Sequence, residues 1–289
     1  MSSNNILEKV KKLREITGVG FKDCKKAIDE NNGDIEKSIE FLRKKGIAKA
    51  NKKMERVAAD GLVSISEKEN NFSIIEVNSE TDFVAKNDEF IKFVQEVSEL
   101  SLISSGKIED ILNLKMQNKK KIEENLVALI SKIGEKITLR RSDLIKAGKD
   151  LNFSYVHSAI KKNIGKIGVL VSLETQKQKK ELLEFGKMLA MHIAASSPLC
   201  LDKADLDPNI LNKEKEIITE ELKNSGKDSK IIDKIVMGRM NKFINDNTLL
   251  NQEWVIEPKK KVKEILKEVA GKDKIEIKKF VRFKVGEGI

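Results

Sequence analysis

Apolar residues in the first 46 positions recur at the three-to-four spacing of amphipathic helices. Ile6, Val10, Leu13 and Ile16 predict a helix from about Ile6 to Ile16. Thr17-Gly18-Val19-Gly20 ends it, because glycine accepts backbone angles that other residues resist. Phe21, Cys24, Ala27 and Ile28 share one side of a second helix, stopped at Asn31-Asn32-Gly33. Asp34 is placed to cap a third, whose stripe is Ile35, Ile39 and Leu42. Three such helices predict a small N-terminal bundle over 1–46. Residues 47–59, Lys- and Ala-rich, read as a connecting helix or linker.

The period then changes from helical to alternating. Gly61 to Ser66 and Phe72 to Val77 read as two strands around the polar turn 67–71, a hairpin. The segment Asn78 to Asn87 follows, then a helix carrying Phe90, Phe93, Val94 and Val97. A second unit looks similar: a strand at Ser154 to Ala159, a basic turn at Lys161 to Lys166, a strand at Ile167 to Leu173, and a helix from about Gln178 to Ala195. Val77-x-x-Glu80-Thr81 lines up with Val171-x-x-Glu174-Thr175, an internal repeat. A helix at about 117–133 and a strand at 136–140 join the units, and a strand at 280–285 closes the chain. The expected fold is α+β: two similar subdomains with antiparallel sheets, 60–147 and 148–289. The second is interrupted at about 205–250 by two helical patterns around Asn224-Ser225-Gly226-Lys227, an antiparallel helical hairpin.

Composition narrows the function. The 289 residues include two cysteines, Cys24 and Cys200, and two histidines, His157 and His192, too few for a disulfide framework, a four-cysteine zinc site or a histidine cluster. The opening residues lack the apolar run of a signal peptide, and no apolar stretch has the length of a bilayer span, so the expected location is the cytoplasm. Net charge is +10, carried almost wholly by lysine. The lysines are scattered among acids, and aromatics for base stacking are few, so a solvated surface is the plainer reading than a nucleic-acid site.

No constellation for covalent chemistry emerges. The Gly-Lys pairs lack the rest of a phosphate loop, and Gly18-Val19-Gly20 follows a helix and lacks a third glycine. Cys24 falls on the apolar side of its helix, which favours a buried structural thiol over a Cys24–His157 pair. His192 lies inside an apolar helix and reads as a satisfied core histidine. The unusual segment is Thr81-Asp82-Phe83-Val84, between a strand and a helix. Pattern alone favours a plain role, with Thr81 or Asp82 capping a turn and Phe83 covering the end of the core. The alternative is an exposed aromatic beside a carboxylate, a wedge against another protein.

Several blocks in order give these residues a resemblance. They are Leu13-Arg14-Glu15-x-Thr17-Gly18-x-Gly20-x-x-Asp23-Cys24-Lys25-Lys26-Ala27, Val57-Ala58-Ala59-Asp60-Gly61, and Glu76-Val77-Asn78-x-x-Thr81-Asp82-Phe83-Val84-Ala85-Lys86. Lys132-Ile133-Gly134-Glu135, Met191-His192-Ile193-Ala194-Ala195, Gly238-Arg239-Met240 and Val281-Arg282-Phe283-x-Val285-Gly286-Glu287-Gly288 follow. Over nearly its whole length the chain resembles the bacterial-type elongation factor Ts family, nucleotide exchange factors for the GTPase elongation factor Tu. The resemblance implies an N-terminal domain like a ubiquitin-associated domain, two α+β core subdomains and an inserted coiled coil.

It also implies a mechanism without covalent chemistry and without a cofactor, so no enzyme. An exchange factor binds the nucleotide-free GTPase more tightly than the nucleotide-bound form, and by reciprocity it weakens nucleotide binding equally. It need not touch the nucleotide itself. Mg²⁺ demands strict octahedral geometry, so small shifts around it are costly. The family assigns Mg²⁺ displacement from the partner to the segment that is here Thr81, Asp82, Phe83 and Val84. Partner contacts carried over are Arg14, Phe21, Lys22 and Lys25 in the bundle, Ile133, Gly134 and His157 in the core, and Val255-Ile256 before Pro258. Where some members carry two methionines at the bundle tip, this chain has Phe21 and Lys22. The sequence ends at Gly288-Ile289, where many members continue into a C-terminal helical module. Whether the coiled coil mediates dimerisation is left open. Competing readings are a basic RNA- or ribosome-binding protein without exchange activity, and a ubiquitin-like-domain binder acting through 1–46.

Overall fold

The computed structural model of the chain describes residues 3–223 and 228–289. Helices α1 (Ser3–Thr17), α2 (Phe21–Glu30) and α3 (Ile35–Lys53) come first. Val10, Leu13, Cys24, Ala27, Ile28 and Leu42 close into one small core, whereas Ile16 and Phe21 of the expected stripes are exposed at the helix ends. Helix α3 runs past Gly46 to Lys53, so the first half of the 47–59 stretch is helix continuous with the bundle.

Strands β1 (Asp60–Lys68) and β2 (Asn71–Ser79) form the predicted hairpin. Its turn residues Glu69 and Asn70 both have positive φ, 50° and 65°, which suits the right-handed twist of the strands. Then come α4 (Asp82–Ala85), α5 (Asp88–Ser101), α6 (Ile108–Asn113) and α7 (Ile122–Ile133), before β3 (Ile137–Ile145). Helix α7 starts later than the apolar pattern indicates, because a Lys115–Lys121 bridge closes a turn ahead of it. The second unit holds β4 (Leu151–His157), β5 (Ile164–Gly165), β6 (Ile167–Thr175) and α8 (Leu183–Ser196). Strand β4 ends at His157, short of the expected Ala159, because Ser158 takes a φ of 50°. The basic turn 161–166 is not all turn: within it, Gly165 pairs with Val63 of β1.

Helices α9 (Pro208–Lys223) and α10 (Ser229–Asn247) pack on each other through Ile218, Leu222 and Val236, with Arg239 donating to Glu221 at 2.7 Å. The connection Asn224-Ser225-Gly226-Lys227 lies outside the described residues. The chain finishes with β7 (Glu253–Trp254), β8 (Glu257–Lys261), α11 (Val262–Ala270) and β9 (Ile275–Lys284).

Strand order is β3-β2-β1-β5 in one sheet and β4-β6-β9 in the other, and every pairing of these strands is antiparallel. Each unit follows one path: a hairpin, then helices, then a strand returning on the outer side of the hairpin's second strand. The Val77/Val171 repeat is the trace of that shared path. The two sheets meet through Val63, Ile65, Phe72 and Ile74 on one side and Leu170, Val281 and Phe283 on the other. Helices cover the far faces: α5 and α7 over Leu62, Ile75 and Val77, α8 and α11 over Val169, Val171 and Leu173. The result is four layers, helices–sheet–sheet–helices. Strand β6 is buried on both faces, which is why Ile167 to Leu173 reads as an almost unbroken apolar run.

A charged cluster ties the two units. Glu76 is fully buried and accepts from Arg140 at 3.1 Å, Arg141 at 2.5 Å and the backbone N–H of Gly286 at 2.9 Å. Neighbouring strand residues normally face opposite ways. A bulge makes Arg140 the extra residue between the Glu76–Arg141 and Val77–Leu139 pairs, so both arginines reach one carboxylate. Among the described residues no helix is long and apolar enough to cross a membrane.

Candidate functional site

The segment 80–84 leaves β2 at the end of the first sheet and enters α4 at once. Thr81 stands at the N-cap position in extended geometry, yet its side chain does not cap the helix. Its backbone N–H donates to Glu135 Oε2 at 3.0 Å and its hydroxyl to Glu135 Oε1 at 2.7 Å. The exchange is reciprocal, since Glu80 accepts from the backbone N–H of Lys136 at 2.6 Å. Arg56 donates to Glu80 at 3.2 Å, and the Lys136 ammonium donates to the carbonyls of Met54 and Arg56 at 2.7 and 2.8 Å. Two carboxylates thus brace the start of the loop from both sides, and residues 54–56 form its flank.

What the brace holds out is Phe83. It is 80% exposed, while Val84 and Ala85 beside it are buried. The expectation that Phe83 covers the end of the core is therefore corrected. In a four-residue helix only one side can meet the sheet, and Val84 and Ala85 take that side. The braced backbone thus keeps a large apolar ring in water. Asp82 is part-exposed and accepts from Lys86 at 2.7 Å. That hydrogen bond from the Lys86 ammonium holds the Asp82 carboxyl below the usual carboxylate range.

Gly134, the C-cap of α7, has φ +91°, a left-handed conformation that delivers Glu135 to Thr81 and which a side chain would oppose. The Lys53 ammonium, at the end of α3, donates to its carbonyl. Ile133 is half-buried just before it. His157 is exposed at the end of β4, with Nδ1 3.1 Å from the Tyr155 hydroxyl. Its carbonyl accepts from Lys166, whose ammonium reaches Asp60 and the Gly61 carbonyl. Asp60 pairs with Ser79 across β1–β2, so His157 and the 81–84 segment lie toward the same end of the core.

The bundle residues Arg14, Phe21, Lys22 and Lys25 are all exposed. The turn between α1 and α2 lies against Lys132, where a Cβ added at Gly18 would stand 3.1 Å from that side chain, and Arg43 pairs with Glu124 of α7 at 2.5 Å. The bundle therefore adjoins the 133–135 corner. Val255 and Ile256 lie elsewhere, on the β7–β8 turn, and both are exposed.

Cys24 is buried in the bundle, its Sγ 3.3 Å from the Val19 carbonyl, and burial pushes its thiol up, away from the reactive range. His192 is buried and hydrogen-bonded. Both are core residues, as their apolar settings indicated. Sequence reasoning missed Glu80, Glu135, Arg56 and Lys136 as supports of the loop. Only Glu135, directly after the glycine that ends α7, carried a local signal.

These features define a class: an α+β protein of two sheets face to face, with an aromatic projecting from a braced loop at one end. Among curated proteins the chain is 44% identical over 283 residues to elongation factor Ts of Methylorubrum populi, covering 97% of this chain and 92% of that one. It is 42% identical over 284 residues to the elongation factor Ts of Rhodospirillum centenum, with the same shares covered. It is 42% identical over 283 residues to that of Rickettsia felis, covering 97% and 91%. The family described as Elongation factor TS matches residues 80–287. The chain belongs to the elongation factor Ts family of translation elongation factors.

Proposed function

We propose that the protein is the guanine nucleotide exchange factor of elongation factor Tu. It binds the GDP-bound partner, promotes GDP release and leaves the nucleotide-free partner open to GTP. The observation that carries this reading is the exposure of Phe83, 80%, on a loop fixed by Glu80 and Glu135. Phe83 enters the partner as a wedge. Burying a Phe side chain is worth ~1.5–3 kcal/mol. That supplies part of the driving force, and the other contacts supply the rest.

Asp82 leaves Lys86 for a donor on the partner and disturbs the groups around its Mg²⁺, while Thr81 and Val84 anchor the wedge. Ile133, Gly134 and His157 continue this surface at the same end of the core. Arg14, Phe21, Lys22 and Lys25 dock the bundle, which we read as a ubiquitin-associated-like domain over 1–46 linked through 47–59 to core units 60–147 and 148–289. Val255 and Ile256 contact the partner at a second place. The α9–α10 pair is read as a coiled coil. The protein acts by differential binding in the cytoplasm, without covalent chemistry, a cofactor or direct contact with nucleotide.

The test is release of a fluorescent GDP analogue from elongation factor Tu under excess unlabelled GDP. Acceleration by the wild type, and loss of most of it in folded Phe83→Ala and Asp82→Ala, is the expected result. A release rate unchanged by the wild type overturns the reading, and salt-sensitive RNA binding is then measured instead.

A further inference from the structure

Val255 and Ile256 form the two-residue turn between β7 and β8, and they are 42% and 49% exposed, while Trp254 just before them is 3% exposed. A pair of neighbouring aliphatic side chains can serve as a ready-made anchor only if the backbone beneath it is fixed. That fixing comes from α8. The His192 ring is fully buried and stacks on Trp254 with centroids 5.1 Å apart. Its Nδ1 accepts the backbone N–H of Val255 at 3.3 Å, and its Nε2 lies 3.0 Å from Gln252 Oε1.

Gln252 decides which ring nitrogen carries the proton. Its amide nitrogen donates to the carbonyls of Ser196 at 3.2 Å and Asp246 at 2.7 Å. Its oxygen must therefore face the ring and accept. His192 Nε2 then bears the hydrogen, and Nδ1 is left bare to receive Val255. Burial, opposed by the Gln252 contact, pushes the imidazole's pKa down, which keeps the ring neutral at pH 7.

We propose that His192, locked in one tautomer by Gln252, is the positioning residue that holds the Val255–Ile256 turn preformed for the elongation factor Tu surface. The proposal rests on the exchange-factor reading. It deepens that reading by assigning the second contact a support in the core. Without the Nδ1 acceptor the Val255 N–H is unpaired, the turn moves, and ordering it again on binding costs affinity.

The experiment compares two amide variants in the full chain by titration calorimetry against nucleotide-free elongation factor Tu. His192→Asn places an oxygen near the Nδ1 position and keeps the acceptor for Val255. His192→Gln places its amide near Nε2 and leaves Val255 without one. The Asn variant is expected to bind within about twofold of wild type, and the Gln variant about three- to tenfold more weakly, the usual span for one net hydrogen bond. The Val255 amide should exchange faster with solvent in the Gln variant alone. In a Val255→Ala/Ile256→Ala background the difference between the variants should vanish.

Equal binding by wild type and the Gln variant overturns the proposal, as does a difference that persists in the double-alanine background. If a ring variant does not fold, Gln252→Leu releases the tautomer from outside α8, and an unchanged Val255 exchange rate there overturns it equally. Wild type failing to bind elongation factor Tu at all sinks the exchange-factor reading and the proposal with it, an outcome distinct from those in which wild type binds.

Discussion

Thr81 gives both its backbone N–H and its hydroxyl to the carboxylate of Glu135, at 3.0 and 2.7 Å, so the entry to the Phe83 loop is pinned by one side chain from the far end of α7. Hydrogen bonds to a charged acceptor contribute ~1.5–3 kcal/mol. Part of that fixes the loop rather than the fold. Glu135→Ala should therefore slow GDP release by about tenfold, equivalent to ~1.4 kcal/mol. Its melting temperature should fall by only a few degrees, on the order of 1 kcal/mol of stability. Exchange kinetics and a thermal melt on one preparation separate the two effects. A variant that exchanges at the wild-type rate would show that the loop needs no brace.

Gly134 makes that brace reachable. Its φ of +91° is left-handed, where a Cβ meets the neighbouring carbonyl oxygen. Gly134→Ala should cost ~1–2 kcal/mol on that account. Nothing else stands in the way, since the nearest atom to an added Cβ is the Lys53 ammonium at 3.8 Å. The prediction is a moderate loss of stability by chemical denaturation, with exchange slowed as in Glu135→Ala because Glu135 is re-aimed. The double change Gly134→Ala/Glu135→Ala should therefore lose little exchange beyond Glu135→Ala alone.

The acid sensitivity of the fold should centre on Glu76. Burial raises its carboxyl pKa, but hydrogen bonds from the Gly286 N–H, Asn78 and Arg141 together outweigh burial and hold it below its ordinary 4.5. A carboxyl with a lowered folded-state value contributes stability above its unfolded value, and that contribution is lost as pH falls from 4.5 through the folded-state value. Glu76→Ala should cost about 3 kcal/mol, the lower end for breaking a buried pair, because its two arginines remain partly hydrated. It should also flatten the decline of stability with acid below pH 4.5, measured by urea titrations at a series of pH values. An equally steep decline in Glu76→Ala would place the acid sensitivity in other carboxylates.

The path of the chain was legible where side-chain period is local. The bundle stripes and the 61–77 hairpin follow from apolar spacing and polar turns. Strand β6 followed from its β-branched run, although burial on both faces hid its alternation. Helix α11 carries apolar Val262, Ile265, Leu266 and Ala270 at helical spacing, and this stretch was assigned no element from the sequence. The loop itself was found as unusual, but its exposure could not be read from spacing. Whether Phe83 points inward depends on Val84 and Ala85 filling the short inner face, which is a tertiary outcome. The supports Glu80, Glu135 and Arg56 come from separate segments, and local pattern carries no record of which segments meet.

Phe83 and Asp82 should separate function from folding. Phe83 is 80% exposed, so Phe83→Ala removes little buried area and should leave stability within ~0.5 kcal/mol of wild type. On the proposed wedge role its effect belongs to the complex: burial of the ring worth ~1.5–3 kcal/mol predicts a fall in exchange of about tenfold to a hundredfold in Phe83→Ala. Asp82 is bonded to Lys86 at 2.7 Å, and the proposed role requires that bond to be broken or shared in the complex. Lys86→Ala removes that cost without touching Asp82. Exchange by Lys86→Ala should therefore be no slower than wild type, whereas Asp82→Ala should be slower. If Lys86→Ala and Asp82→Ala fall together, the Asp82–Lys86 pair itself, and not the freed carboxylate, is what the partner recognises. A stopped-flow series of the three variants at one salt concentration decides between these outcomes.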